Sequence, residues 1–153
     1  EIDLRQDLLQ DQHPHTRKHM KLMMAEDSSL IRAGIERVLK GAGYNSLEVY
    51  ADGQACHERL LEIRQEVANG SNLRDHLQLL ITDIEMPKMD GLTLCKKVKK
   101  DPILKEIKVI LFSSLINEQM SAKCDLVGAD GYATKPQIPY LVEMIDSMLD
   151  ISN

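Results

Sequence analysis

The sequence predicts an α/β fold in which a parallel sheet of five strands carries helices on both faces. Three observations support this. From Met20 onward, short apolar runs alternate five times with segments of helical periodicity. The apolar runs are nearly continuous, as in strands buried on both faces. The chain has 153 residues, of which 43% are hydrophobic and 28% charged, which suits one domain with room for a tail.

The first half of the domain contains two strand–helix units and a long connection. The apolar run Lys21–Ala25 predicts the first strand, and Leu47–Tyr50 predicts the second. The segment between them, Ser28–Lys40, predicts a helix that ends at Gly41 and Gly43. Its apolar face consists of Leu30, Ile31, Ile35, Val38 and Leu39. Asp52 caps a second predicted helix. The following stretch, Arg64–His76, is longer than a usual connection, and Asn69–Asn72 within it predicts an exposed loop.

The second half repeats the alternation three times. Apolar runs predict three more strands and amphipathic segments predict three more helices, in the order Leu77–Thr82, Leu92–Lys99, Val109–Phe112, Glu118–Val127, Tyr132–Thr134 and Ile138–Leu149. Right-handed crossovers between parallel strands leave a small set of topologies for such a chain. In these sheets a ligand site lies beyond the carboxyl ends of the strands, so the residues that follow each strand are the candidates for chemistry.

The amino-terminal residues differ from the rest. We predict that residues 1–19 are a linker from a missing amino-terminal domain and that residues 20–153 form the folded domain. The chain begins with Glu1 rather than Met, which indicates a piece of a longer protein. Three histidines lie within seven residues here, but Pro14 breaks the helical spacing of metal ligands, so we favour a solvated linker.

Composition and charge exclude some partners. The net charge is −5 and the chain has four Tyr, one Phe and no Trp, which argues against nucleic acid, since that needs a basic face and stacking rings. No apolar run approaches the roughly 18 residues that cross a membrane. The cysteines Cys56, Cys95 and Cys124 show no CxxC spacing, which is typical of buried thiols in the reducing cytoplasm. We therefore predict a cytoplasmic protein.

Complementary polar groups follow four of the predicted strands. Glu26-Asp27 follow the first strand, Asp83 the third, Ser113 the fourth and Lys135 the fifth. Three carboxylates at one edge of a sheet repel one another unless a cation neutralises them, and oxygen ligands favour Mg²⁺. One carboxylate could then act as a nucleophile toward phosphorus, with the ammonium and the hydroxyl stabilising the phosphoryl oxygens. Singly, these residues could equally be loop charges or, for Asp27, a helix cap.

The run Asp83–Gly91 resembles the phosphoacceptor loop of bacterial response-regulator receivers, which reads D-x-x-M-P-x-x-D-G. The acidic pair, the hydroxyl of Ser113 and Lys135-Pro136 also match that family, and the resemblance covers Met20 to about Leu149. It implies the doubly wound, flavodoxin/CheY-like sheet with strand order 2-1-3-4-5.

The resemblance also implies a role for each site residue. Asp83 would accept the phosphoryl group. Asp27, Asp83 and the backbone carbonyl of Glu85 would ligate Mg²⁺, and Glu26 would hold a metal-bound water. Lys135 would pair with Asp83 or its phosphate.

The switch is carried over in the same way. Ser113 would move toward the phosphate and Tyr132 would follow it inward, changing the surface of the fourth helix, the fifth strand and the fifth helix. The Lys135–Pro136 bond would be cis. Two positions depart from the usual pattern: Glu26 replaces a more frequent Asp, and Ser114 replaces a small alanine.

The carboxylate of Glu85 has no assigned role in that pattern. It could be a solvated surface acid, it could tune an attacking water, or it could pair with Lys135 before phosphorylation.

Two further stretches, Ile110–Glu118 and Lys135–Ile138, resemble the receiver part of the CheV chemotaxis coupling proteins. That resemblance implies a CheA-like histidine kinase as phosphodonor, an attached CheW-like domain and a chemoreceptor array. The receiver would regulate the coupling domain or act as a phosphate sink. The alternatives are an aspartyl-phosphate phosphohydrolase, whose D-x-D motif follows the first strand, and the receiver of a DNA-binding response regulator. As a receiver the chain would not be an enzyme, since it would catalyse only its own phosphorylation and dephosphorylation. Only the phosphohydrolase alternative would give it a separate substrate.

Overall fold

The computed structural model describes residues 16–135 and 138–151, and within them all ten predicted elements are present. The nine elements whose bounds were predicted have ends that differ by two residues or fewer. The strands are β1 (Lys21–Ala25), β2 (Ser46–Tyr50), β3 (Leu79–Asp83), β4 (Lys108–Ser113) and β5 (Gly131–Thr134). The helices are α1 (Ser29–Gly41), α2 (Gly53–Ala68), α3 (Gly91–Lys100), α4 (Glu118–Leu126) and α5 (Ile138–Met148). Two short 3₁₀ turns, Leu73–Asp75 and Leu104–Glu106, precede β3 and β4.

The strands form one sheet in the order β2-β1-β3-β4-β5, and each neighbouring pair is parallel. The predicted fold class and strand order are therefore confirmed. Going from β1 to β2 builds the sheet in one direction, and going from β3 onward builds it in the other. The carboxyl ends of β1 and β3 consequently lie side by side at the point where the direction reverses, which is where such sheets bind ligands.

The sheet separates two hydrophobic cores, and β1 shows why. Met23 and Ala25 pack into the core beneath α2, α3 and α4, whereas Leu22 and Met24 pack into the core beneath α1 and α5. Successive side chains of a strand point to opposite faces, so a strand buried on both sides must be apolar at every position. β3 and all but the first residue of β4 are likewise buried throughout.

Polar side chains at their amino ends define four of the helices. Ser28, Asp52, Asp90 and Asn117 each accept a hydrogen bond from the backbone N–H three residues further on. Such caps satisfy a backbone donor that would otherwise lack a partner. The predicted cap at Asp52 is confirmed. Because Ser28 caps α1, the cap alternative for Asp27 is wrong.

One predicted core residue is misplaced. Leu30 is 83% exposed, whereas Ile35 and Leu39 of the same helix are fully buried. At about 100° per residue, Leu30 lies about 140° around the helix from Ile35, outside the buried face. A leucine in the first turn fits the apolar spacing locally, but here the sheet does not reach it.

The long connection before β3 is shorter than predicted, since α2 continues to Ala68. Asn69–Asn72 are exposed, as expected of a loop. Among the described residues, no helix has the length and apolar character to cross a membrane. The predicted cis bond falls on Pro136, and most of the predicted linker falls on residues 1–15; both lie outside the described residues.

Candidate functional site

Three carboxylates converge where β1 and β3 end. Parallel pairing sets Ala25 beside Thr82, so the residues that follow them emerge together. Glu26, Asp27 and Asp83 each contribute a carboxylate oxygen, and these oxygens lie within 4.8 Å of one another. Glu26 and Asp83 are fully buried, whereas Asp27 is exposed. The arrangement concentrates negative charge at one point of the sheet edge, with one carboxylate open to solvent.

Among the described residues, one lysine lies within ion-pair distance of these carboxylates and partly neutralises their charge. Lys135, which follows β5, places its Nζ 3.0 Å from Oδ2 of Asp83 and 3.5 Å from Oε1 of Glu26. Its side chain is only 18% exposed. One ammonium therefore serves two buried carboxylates, and the cluster keeps an excess of negative charge.

Burial and crowding change the ionisation of these groups. Burial, reinforced by the negative charges of Glu26 and Glu85, raises the pKa of Asp83 to about 7 despite the hydrogen bond from Lys135. Burial also raises the pKa of Glu26, although the N–H of Ser28 opposes it. For Lys135, burial lowers the pKa, but the hydrogen bond and charges of Asp83 and Glu26 outweigh it and raise it overall. Without a further cation, burial therefore disfavours the charged forms of Asp83 and Glu26.

The two oxygens of Glu26 differ in a way that fits a metal. Oε2 accepts a hydrogen bond of 2.8 Å from the N–H of Ser28. Oε1 is buried and accepts no hydrogen bond from the part of the chain that the structure describes. The Lys135 ammonium lies 3.5 Å from this oxygen, too far for a good hydrogen bond, and a cation or its bound water would satisfy it. With three carboxylates converging, the donor set is all oxygen, which suits Mg²⁺.

Close backbone packing shapes the loop between β3 and α3. A Cβ atom added at Gly91 would lie 2.0 Å from the carbonyl oxygen of Asp83, so no other residue fits there without movement. The N–H of Gly91 donates to the carbonyl of Ile84 at 2.8 Å. Lys88, at the turn, has a φ of 70°. The tight loop holds the main chain after Asp83 against the site, and the N–H of Glu85 donates to Oδ1 of Asp83 at 3.3 Å.

Ser113 ends β4 in a buried position beside this loop. Asp83 pairs with Phe112 in the sheet, which brings the next residue of β4 to the site. The Ser113 hydroxyl donates a hydrogen bond to the Glu85 carboxylate, and the N–H of Leu115 donates to Ser113 Oγ at 3.4 Å. Of the three roles considered for the Glu85 carboxylate, pairing with Lys135 is wrong. Instead Lys135 is bound to Asp83 and Glu26, and Glu85 binds Ser113.

The structure thus brings together six of the predicted site residues, namely Glu26, Asp27, Asp83, Glu85, Ser113 and Lys135. Tyr132 lies on β5, partly buried, and packs against the same core as Met120 and Val127. Ser114 is exposed. Sequence reasoning missed the contact between Glu85 and Ser113, because 28 residues separate them and nothing local links the two.

Comparisons with known proteins agree with this geometry. The model of the response regulator receiver domain family matches residues 22–146. The chain belongs to that family. It is 31% identical over 130 residues to the chemotaxis protein CheV3 of Helicobacter pylori, and the matched region covers 85% of this chain and 41% of CheV3. The chain therefore spans about two fifths of CheV3. It is 32% identical to chemotaxis protein CheY1 of the same species, over 81% of this chain and 91% of CheY1.

A solved structure of the family also matches. The phosphorylated cyanobacterial phytochrome response regulator RcpA superposes with a TM-score of 0.69 at 26% identity, covering 88% of this chain and 97% of RcpA. The family match thus rests on the sequence, and the fold match rests on the superposition of the structures.

Proposed function

We propose that this domain accepts a phosphoryl group from a histidine kinase onto Asp83, with Mg²⁺, and changes its surface in response. The observation that carries the proposal is a buried carboxylate, Asp83, bound to Lys135 at 3.0 Å and gathered with Glu26 and Asp27 within 4.8 Å. A site with two buried acids and a single ammonium needs a cation, and the cation in turn admits an anionic group.

Asp83 is held for attack on phosphorus. Lys135 binds Oδ2 and the N–H of Glu85 binds Oδ1, so both oxygens are oriented. One carboxylate oxygen forms a bond to phosphorus while the bond between phosphorus and the imidazole nitrogen of the donor breaks. The imidazole keeps the electron pair and ends as a neutral ring after taking up a proton. Lys135 remains beside the new acyl phosphate and stabilises its oxygens.

We assign the metal ligands to Asp27, Asp83 and the carbonyl of Glu85, and a metal-bound water to Glu26. Bound Mg²⁺ would offset negative charge on the carboxylates and on the incoming phosphoryl oxygens. The buried oxygen of Glu26 that lacks a hydrogen bond supports this assignment. The exposed Asp27 gives the ion a route from solvent.

We assign the switch to Ser113 and Tyr132, and the output to the face formed by α4, β5 and α5. Ser113 is buried at the site, and Tyr132 lies on the neighbouring strand, where Leu111 pairs with it. A hydroxyl that moves toward phosphate vacates space into which the partly buried ring can turn.

In the cell, we propose that the phosphodonor is a CheA-like kinase in cytoplasmic chemotaxis signalling. The receiver would regulate a CheW-like coupling domain in a chemoreceptor array, or would drain phosphate from a shared kinase. Similarity to CheV3 over 130 residues supports this setting. Phosphoryl lifetime separates the two roles: retention over minutes favours regulation of the coupling domain, and rapid loss favours a phosphate sink.

The direct test is a mass measurement after incubation with acetyl phosphate and Mg²⁺. We expect one added phosphoryl group in the wild type and none in Asp83→Asn or in EDTA. A mass gain that persists in Asp83→Asn or without Mg²⁺ would contradict the proposal.

A matched pair of lysines tests the role of Lys135. Lys135→Ala removes the cation at the site, whereas Lys100→Ala removes an exposed lysine at the end of α3. We expect the first variant to lose the partner-binding response to phosphorylation and the second to keep it. Equal responses in the two variants would place Lys135 outside the mechanism.

A further inference from the structure

The contact between Ser113 and Glu85 joins a buried group to an exposed residue. Ser113 is fully buried, and its hydroxyl donates to the carboxylate of Glu85. Glu85 belongs to the exposed part of the loop after β3 and adds nothing to either hydrophobic core. A buried hydroxyl needs a hydrogen-bond acceptor, and here the acceptor is the carboxylate of an exposed glutamate. The contact therefore fixes Ser113 without being required for the fold.

The Ser113 hydroxyl can have only one such acceptor at a time. A serine has a single O–H to donate, and the N–H of Leu115 already points at its oxygen. A phosphoryl group on Asp83 would offer strong acceptor oxygens at the same site. Donation to Glu85 and donation to the phosphoryl group are thus mutually exclusive.

Charge adds to this competition. The backbone N–H of Glu85 donates to Oδ1 of Asp83, the proposed phosphorylation site, at 3.3 Å. The carboxylate of Glu85 therefore belongs to a residue that directly contacts Asp83. Phosphorylation replaces the single negative charge of the Asp83 carboxylate with about two on the phosphoryl group. The Glu85 carboxylate would be repelled as the competing acceptor appears, and both effects break the same hydrogen bond.

We propose that Glu85 is a positioning residue that holds Ser113 in the unphosphorylated arrangement, and that phosphorylation of Asp83 releases it by taking over the serine's hydrogen bond. This inference rests on the proposed function. It assigns a role to the side chain of Glu85 in addition to that of its backbone carbonyl. The stronger the hydrogen bond between Ser113 and Glu85, the less readily the domain would switch.

The test is a titration with beryllofluoride and Mg²⁺, which stands in for the phosphoryl group, followed by NMR of the Leu115 amide and the Tyr132 ring. The variants are Glu85→Ala, which keeps the backbone carbonyl, and Glu85→Gln, which keeps an acceptor without charge. Glu58→Gln, an exposed acid on α2, is the matched control. We expect Glu85→Ala to raise the apparent affinity about 3- to 10-fold, Glu85→Gln to raise it less, and the control to match the wild type.

A double-mutant cycle separates the hydrogen bond from simple repulsion. In a Ser113→Ala background, we expect Glu85→Ala to change the affinity less than 2-fold, because no hydroxyl is left to release. We also expect that, in Glu85→Ala without beryllofluoride, the NMR resonance of the Leu115 amide shifts toward its position in the beryllofluoride-bound protein.

Three results would overturn the inference. An equal gain in both backgrounds would show that charge alone acts. An unchanged affinity in Glu85→Ala, with binding lost in Asp83→Asn, would remove the role of Glu85 and leave the proposed function intact. No binding by the wild type would overturn both.

Discussion

Two buried polar networks lie on this domain, and they are built on opposite principles. One is the acidic site at the carboxyl ends of β1 and β3. The other lies on the face of α1 and α5, where Arg17, Asp146 and Tyr44 meet. Both contain a buried carboxylate and a cation, but only one of them leaves its groups in need of partners.

The network on the helical face is closed. Arg17 binds both oxygens of Asp146, from Nε at 3.0 Å and from its second terminal nitrogen at 2.5 Å, and donates to the carbonyl of Ala42 at 2.9 Å. The hydroxyl of Tyr44 donates to Asp146 at 2.5 Å. The guanidinium also lies 5.7 Å from the centre of the Tyr44 ring. One positive charge meets one negative charge, and each oxygen of the acid has a donor.

The acidic site is open by comparison. In the part of the chain that the structure describes, it gathers three carboxylates around one ammonium, and Oε1 of Glu26 accepts no hydrogen bond. A closed network stabilises the fold and has nothing further to bind. An open one costs stability in the free protein, and an added cation and anion recover that cost. We infer that surplus charge and unmet hydrogen bonds distinguish a functional polar cluster from a structural one, even where burial is equal.

The largest effect should come from opening the closed network. In Asp146→Ala, Arg17 and the hydroxyl of Tyr44 lose their shared acceptor while they remain largely buried. We expect a loss of about 3–5 kcal/mol in the free energy of unfolding, as for a buried pair that loses one member. Urea denaturation measures it, with Glu143→Ala, an exposed acid on α5, as the control. A loss below about 1 kcal/mol would mean that the network is not structural.

The opposite sign is expected at the acidic site. Asp83→Asn removes a buried charge from a crowded cluster, while Lys135 keeps Glu26 as a partner. In EDTA at pH 8, we expect the variant to be more stable than the wild type by about 2–4 kcal/mol, an order of magnitude set by the displaced pKa. Added Mg²⁺ should stabilise the wild type and not the variant.

The pH dependence checks the cause of that gain. Because the pKa of Asp83 in the folded protein is raised to about 7, chiefly by burial, the folded state holds its proton more tightly than the unfolded state. The contribution of protonated Asp83 to the free energy of unfolding is therefore complete below about pH 4 and is lost as the pH rises to about 7. The stability difference between variant and wild type should grow over that range. A constant difference would show that packing, and not ionisation, causes it.

A smaller effect is expected from keeping the charge but losing the geometry of the closed network. Arg17→Lys retains a cation but cannot bind both oxygens of Asp146 and the carbonyl of Ala42 together. We expect a loss of about 1–2 kcal/mol in the free energy of unfolding. Arg37→Lys, on α1, is the matched substitution. If the two variants are equally stable, the planar fork of Arg17 has no special role.

The two networks were also unequally predictable from sequence. Asp83, Glu26, Asp27, Ser113 and Lys135 follow strands of a parallel sheet, so topology alone places them at one edge. Arg17 and Asp146 are 129 residues apart, and no local pattern pairs them. The sequence placed Arg17 in a polar linker because a run of polar residues has the same composition whether it is solvated or docked.

The same limit applies to side-chain detail elsewhere. Strand and helix positions were accurate because the apolar periods and the caps are local signals, and the strand order followed from the family resemblance. The exposure of Leu30 and the bond between Glu85 and Ser113 depend on how elements pack. Such contacts are set by three-dimensional distances that a single sequence does not encode position by position.

The smallest effect should come from Tyr44→Phe, which tests whether the closed network is redundant. The phenol stays protonated in the native protein, because burial first, and then the hydrogen bond to Asp146, hold the pKa of Tyr44 well above its usual value. Removing the hydroxyl leaves the ring in the core and leaves both oxygens of Asp146 bound to Arg17. We expect a loss of about 1 kcal/mol, the usual net worth of one hydrogen bond. Urea denaturation beside Tyr140→Phe, whose ring is 54% exposed on α5, supplies the control. A loss as large as that of Asp146→Ala would mean that the hydroxyl, and not the ion pair, holds the carboxylate in place.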